Sequence, residues 1–102
     1  MRLSKPILSI KIRNAIQKAY PNAHLEFTLK NVIRNGVKYG SSGFVTNTDT
    51  NKHVWLSTDN ECCPHNIVYR TAEHTRDYHG GFNHWCNTID ELTVGIKPML
   101  EL

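Results

Sequence analysis

With 102 residues, 39% of them apolar and 21% charged, the chain has material for one domain, residues 1–102, around a modest core. That composition argues against a two-domain enzyme and against a disordered segment. A formal charge of +3 with histidines neutral excludes an acidic mimic of DNA, while leaving room for contact with nucleic acid or an acidic protein surface.

The segment SKPILSIKIRNAIQKAYP reads as a helix. Leu8, Ile12, Ala15, Ile16 and Ala19 share one apolar stripe, and Lys11, Arg13, Asn14, Gln17 and Lys18 take the wet side. Ser4 is the expected cap, Pro6 belongs in the first turn, and Pro21 ends the helix by forcing Tyr20 out of the helical region. The interruptions at Lys5, Pro6 and Lys11, with no small-residue cleavage site after them, speak against a signal peptide. No apolar run reaches membrane-spanning length, so the expectation is a cytosolic protein without membrane contact.

From Ala23 the period changes to two. Leu25, Phe27 and Leu29 alternate with polar residues, as in a half-buried strand. Asn35-Gly36 signals a hairpin, because a type I′ turn needs positive φ at both central positions. Val37, Tyr39 and Gly43-Phe44-Val45 form the return strand, whose Ser-Ser-Gly interruption predicts a bulge or a close backbone approach. TNTDTNK is a polar turn, and HVWLST alternates again with Val54 and Leu56 inside and His53 and Trp55 on the other face. IVYRTA is a candidate short strand, and EHTRDYHGGFNHWCN reads as a long ordered loop. A capping box at Thr88–Glu91 opens a last helix with Ile89, Leu92, Ile96 and Met99 or Leu100 inward, kinked or ended by Pro98. The expected fold is α+β: a three- or four-stranded antiparallel sheet with two helices on one face.

Residues 61–87 hold all three cysteines and four of the six histidines. An odd cysteine count argues against a disulfide scaffold, and adjacent Cys62 and Cys63 would close a strained ring. Zinc takes thiolate and imidazole ligands tetrahedrally. Cys62 and His65 are spaced for a tight turn, and His84 and Cys86 point to one side of an extended segment, so these four could close a structural zinc clip before the last helix. Cys63 and His79 are substitutes for any of the four, and the choice between Cys62 and Cys63 stays open. The competing reading is of partly buried thiols and surface histidines.

Catalysis has less support. His65-Asn66 and Asn83-His84 invite comparison with HNH nucleases, but no helix carries the last ligand. Glu73 or Asp77 could act as a base and equally fit a solvated loop. A non-enzymatic role is expected, with a small metal-dependent nuclease as the third alternative. For nucleic acid, Lys11, Arg13, Lys18, Lys30, Arg34, Lys38, Tyr39, Arg70 and Arg76 could make a basic face with aromatic interleaving. The element order also resembles the double-stranded-RNA-binding domain, although Asp90 and Glu91 at the start of the second helix repel phosphate. For a protein partner, Tyr78, Phe82, Trp85 and Trp55 are the candidate contact residues, since aromatics are favoured interface anchors.

KNVIRNGVKYGSSGF and YRTAEHTRDYHGGFNHWCNTIDEL resemble the small single-domain proteins of phages and mobile elements of low-GC bacteria, whose best-studied class is the anti-CRISPR inhibitors of Cas9-type nucleases. The resemblance implies a non-enzymatic inhibitor that acts in the host cytosol by binding a protein partner, a Cas effector nuclease. It carries no site residue with it.

Overall fold

The computed structural model describes residues 6–59, 66–78 and 81–102. Helix α1 (Ser9–Ala19) is followed by strands β1 (Leu25–Arg34), β2 (Val37–Asn47), β3 (Lys52–Ser57), β4 (Ile67–Ala72) and β5 (His84–Cys86), then helix α2 (Ile89–Leu100). The strands form one antiparallel sheet in chain order, so each pairs with its sequence neighbour. The α+β class and the two helices are as expected. The sheet has five strands, because His84–Cys86 pairs with Ile67–Tyr69 instead of ending a loop. Three residues are too few for alternation to register, and the preceding Gly-Gly reads as loop.

The two-residue period of the strands sorts side chains to two faces. Toward the helices point Val45, Val54, Leu56, Ile67, Tyr69 and Cys86, which pack with Ile12 and Ile16 of α1 and Leu92, Ile96 and Leu100 of α2. Leu25, Phe27 and Leu29 of β1 lie half-buried at the margin of this core. The helices are also tied together by the Tyr20 hydroxyl, which donates to the Thr93 carbonyl.

Helix α1 starts later than its stripe suggested. Its N-cap is Leu8, with no side-chain cap, and the Ser9 N–H is satisfied by Asn31 Oδ1 across the sheet at 2.9 Å. The Ile7 carbonyl accepts from Ser41 Oγ at 3.1 Å and from Thr58 Oγ1 at 2.7 Å. The residues around Ile7 are thus spent on fastening the chain to β2 and to the residue just after β3, which leaves Pro6 ahead of the first turn. Ser4 lies outside the described residues.

Asn35 and Gly36 both have positive φ (52° and 77°), the signature of the expected hairpin turn. A bulge follows: Val32 faces Gly40 while Ile33 faces Lys38, leaving Tyr39 as the extra residue. Gly43 marks a close approach, since a Cβ there would sit 2.1 Å from the Thr28 carbonyl oxygen. At the far end, Thr88 Oγ1 accepts the Glu91 N–H and donates to Glu91 Oε1, both at 3.1 Å. Pro98 stands in the last turn of α2 without breaking it; Glu101 turns left-handed, and Asn47 Nδ2 donates to the Leu100 carbonyl at 2.7 Å.

Candidate protein-binding face

Both helices pack on the first face of the sheet, and among the described residues no helix covers the second. Across its middle run Thr28, Phe44, Trp55 and Arg70, each directly opposite the next on adjacent strands. A parallel row continues through Ser57, Val68 and Trp85. Phe44 and Val68 are buried yet lie outside the main core, so this face has a small apolar layer of its own.

Arg70 organises that layer. It is 3% exposed. Its guanidinium lies over the Trp55 ring, 4.7 Å from the centroid, and donates to the carbonyls of Thr71 (3.5 Å) and Asp77 (3.1 Å). The segment after β4 is thereby drawn back over the sheet. Asp77 fixes it further: its Oδ2 accepts the Glu73 N–H, and its N–H donates to the His74 carbonyl, both at 3.1 Å. His74 Nδ1 accepts from the Arg76 N–H at 3.1 Å. The next residue, Tyr78, meets Phe44 edge-on at 5.3 Å.

Of the four aromatics expected to meet a partner, three are presented to solvent. Phe82 is 87% exposed, Tyr78 59% and Trp85 41%. Trp55 differs: it is half-buried beneath Arg70, and its Nε1 is buried with no hydrogen-bond partner among the described residues. It forms a floor for Arg70. Arg70 and Phe44, which hold the surface in place, were not legible as such. An arginine opposite a tryptophan is visible only once strand register is known.

The same burial removes Arg70 from any basic face. Arg34 and Tyr39 are also engaged: Arg34 makes a forked ion pair with Asp59 (3.2 and 2.7 Å) and lies 5.2 Å over the Tyr39 ring. Arg13 lies over Phe27 at 5.8 Å on the helix side. Of the cations and aromatics expected to bind nucleic acid, Arg70 is thus buried and Arg13, Arg34 and Tyr39 are engaged, while Lys11, Lys18, Lys30, Lys38 and Arg76 are exposed.

Cys62, Cys63, His65 and His79 lie outside the described residues. His84 and Cys86 do point to one side of β5, as their spacing requires, but into different surroundings. The exposed His84 ring stacks on Tyr69 at 5.4 Å. The buried Cys86 thiol faces the core, 3.7 Å from the Thr88 carbonyl. Burial, reinforced by Glu91, pushes this thiol up from 9.0 to about 11, toward the protonated form. Among the described residues no group of three or more His, Cys, Asp or Glu is arranged to hold a metal ion, so the zinc-clipped loop gains no support.

An open groove of about 1240 Å³ lies where Lys52, His53, Glu73, His74 and Asp77 approach the end of α2. Three of its polar groups serve local structure: His53 Nδ1 meets Thr46 Oγ1 at 2.7 Å, and His74 and Asp77 are used as above. Among the described residues no helix is long and apolar enough to cross a membrane. Comparison with protein-family models, with curated proteins and with solved structures found no match.

Proposed function

We propose that this chain is a protein-binding domain that docks its partner on the surface made by Tyr78, Phe82 and Trp85. The observation that carries this reading is the exposure of three large aromatics within one stretch of sequence: Phe82 at 87%, Tyr78 at 59% and Trp85 at 41%. Large exposed aromatics gathered beside an ordered segment are the usual anchors of an interface. Arg70 and Asp77 hold Tyr78 and its approach in place before binding, so little ordering entropy is lost when the partner arrives. Two of the cations expected to meet phosphate are withdrawn, Arg70 by burial and Arg34 by its pair with Asp59, which favours a protein partner over nucleic acid.

The resemblance to phage-encoded inhibitors names the first partner class to try, a Cas9-type nuclease. Inhibition would follow from occluding a surface, with no chemistry asked of this chain. The test is target-DNA cleavage by such a nuclease with increasing wild-type protein and with Phe82→Ala/Trp85→Ala. Inhibition by the wild type, lost in the folded variant and only weakly salt-dependent, supports the reading. Binding that collapses with salt would point to phosphate contacts and overturn it.

A further inference from the structure

Strand β1 is ten residues long and forms one margin of the sheet. Among the described residues no strand pairs with its free side. The His24 carbonyl accepts the Thr48 N–H at 2.9 Å, so even-numbered main-chain groups face β2. By alternation, the N–H and C=O groups of Leu25, Phe27, Leu29 and Asn31 face outward. A long edge of this kind is a template for another strand, and edges are normally blunted by charges, proline or a cover.

We propose that this edge pairs antiparallel with β1 of a second copy of the chain, joining two five-stranded sheets into one of ten. The charge pattern sets the occupant and the register. With Thr28 on the two-fold axis, Glu26 lies opposite Lys30 of the second copy, and the reciprocal pair forms by symmetry. Both pairs fall on the outer face, where Glu26, Thr28 and Lys30 are exposed and where neither charge has an ion-pair partner among the described residues. On the helix face the same register sets Phe27 against Leu29. Moving the axis to Phe27 puts His24 opposite Lys30, and moving it to Leu29 puts Glu26 opposite Val32, so of these three registers the one on Thr28 matches charge. The flank of α1 above the edge agrees. Arg13 lies over Phe27, and Ile10, one turn earlier on that flank, is an exposed apolar residue that a second α1 would cover.

The test is a charge-swap cycle read by analytical ultracentrifugation over a concentration series. Wild type is expected to dimerise. Glu26→Lys and Lys30→Glu, each of which sets like charges opposite one another, should weaken the dimer by about tenfold, and the double swap should restore it. A second readout does not depend on these variants folding equally well. At the axis Thr28 is a closely spaced, non-hydrogen-bonded pair, about 4.5 Å between Cα atoms, within disulfide reach. In a Cys62→Ser/Cys63→Ser background, Thr28→Cys should oxidise to a covalent dimer. Lys30→Cys should not, because its two copies lie roughly 13 Å apart. A monomer at every concentration, single swaps that change nothing, or equal cross-linking at both positions would each overturn the proposal.

Discussion

Arg70 and Trp55 show how one buried side chain decides what the outer face can do. Arg70 carries a charge inside the fold because two carbonyls and a ring face receive it. Arg70→Met should lower stability by about 2–3 kcal/mol in urea denaturation, from the lost charged hydrogen bonds and ring contact. Arg70→Lys should recover only part of this, since an ammonium cannot reproduce the planar fork. Trp55→Phe should change stability by less than about 1 kcal/mol, because it removes a buried N–H that has no acceptor among the described residues.

Cys86 sets a pH dependence on the other face. Its folded-state thiol titrates at about 11 against an ordinary 9.0, and burial raises Tyr69 in the same sense. A raised pKa means that the folded state holds a proton which the unfolded chain releases. The stability this contributes is complete below about pH 9 and declines toward pH 11, by about 2 kcal/mol for the thiol. Denaturation at about pH 8 and pH 11 should show the decline, and Cys86→Ala should reduce it. In native protein near pH 8, Cys86 should resist thiol reagents equally with and without chelator; protection lost on adding chelator would reinstate the zinc ligand.

Among the elements, those with a strong local code were legible. Helix α1 over Ile12 and Ile16, the Asn35-Gly36 turn, the inward Val54 and Leu56, and the Thr88 cap each follow from spacing or from one turn chemistry. What was not legible depends on pairing at a distance. The start of α1 is set by Asn31, Ser41 and Thr58, and β5 exists because Ile67–Tyr69 lies beside it. The Ser-Ser-Gly interruption predicts a bulge or a close approach; Gly43 is the close approach, to the Thr28 carbonyl, while the bulge falls at Tyr39. Gly43→Ala should cost about 2–3 kcal/mol by forcing β1 away from β2, measured as a lowered urea midpoint with an unchanged slope.

For the whole molecule, one layer of helices on a five-stranded meander leaves, among the described residues, a sheet face without a helix, and the chain from Glu73 to Tyr78 folds onto it. The candidate site was half legible. The aromatics Tyr78, Phe82 and Trp85 could be named from their clustering, whereas the place of Trp55 beneath Arg70 and the role of Arg70 required the register of three strands. The central claim is that this surface meets a protein. Its most direct test places a photo-crosslinking amino acid at Phe82, and separately at Lys18 on the exposed side of α1, in low-GC bacterial cells carrying a Cas9-type nuclease. A discrete protein adduct at position 82, absent at position 18 and lost with Trp85→Ala, is the predicted result. No adduct at 82, the same adduct from both positions, or an adduct removed by nuclease digestion would contradict it.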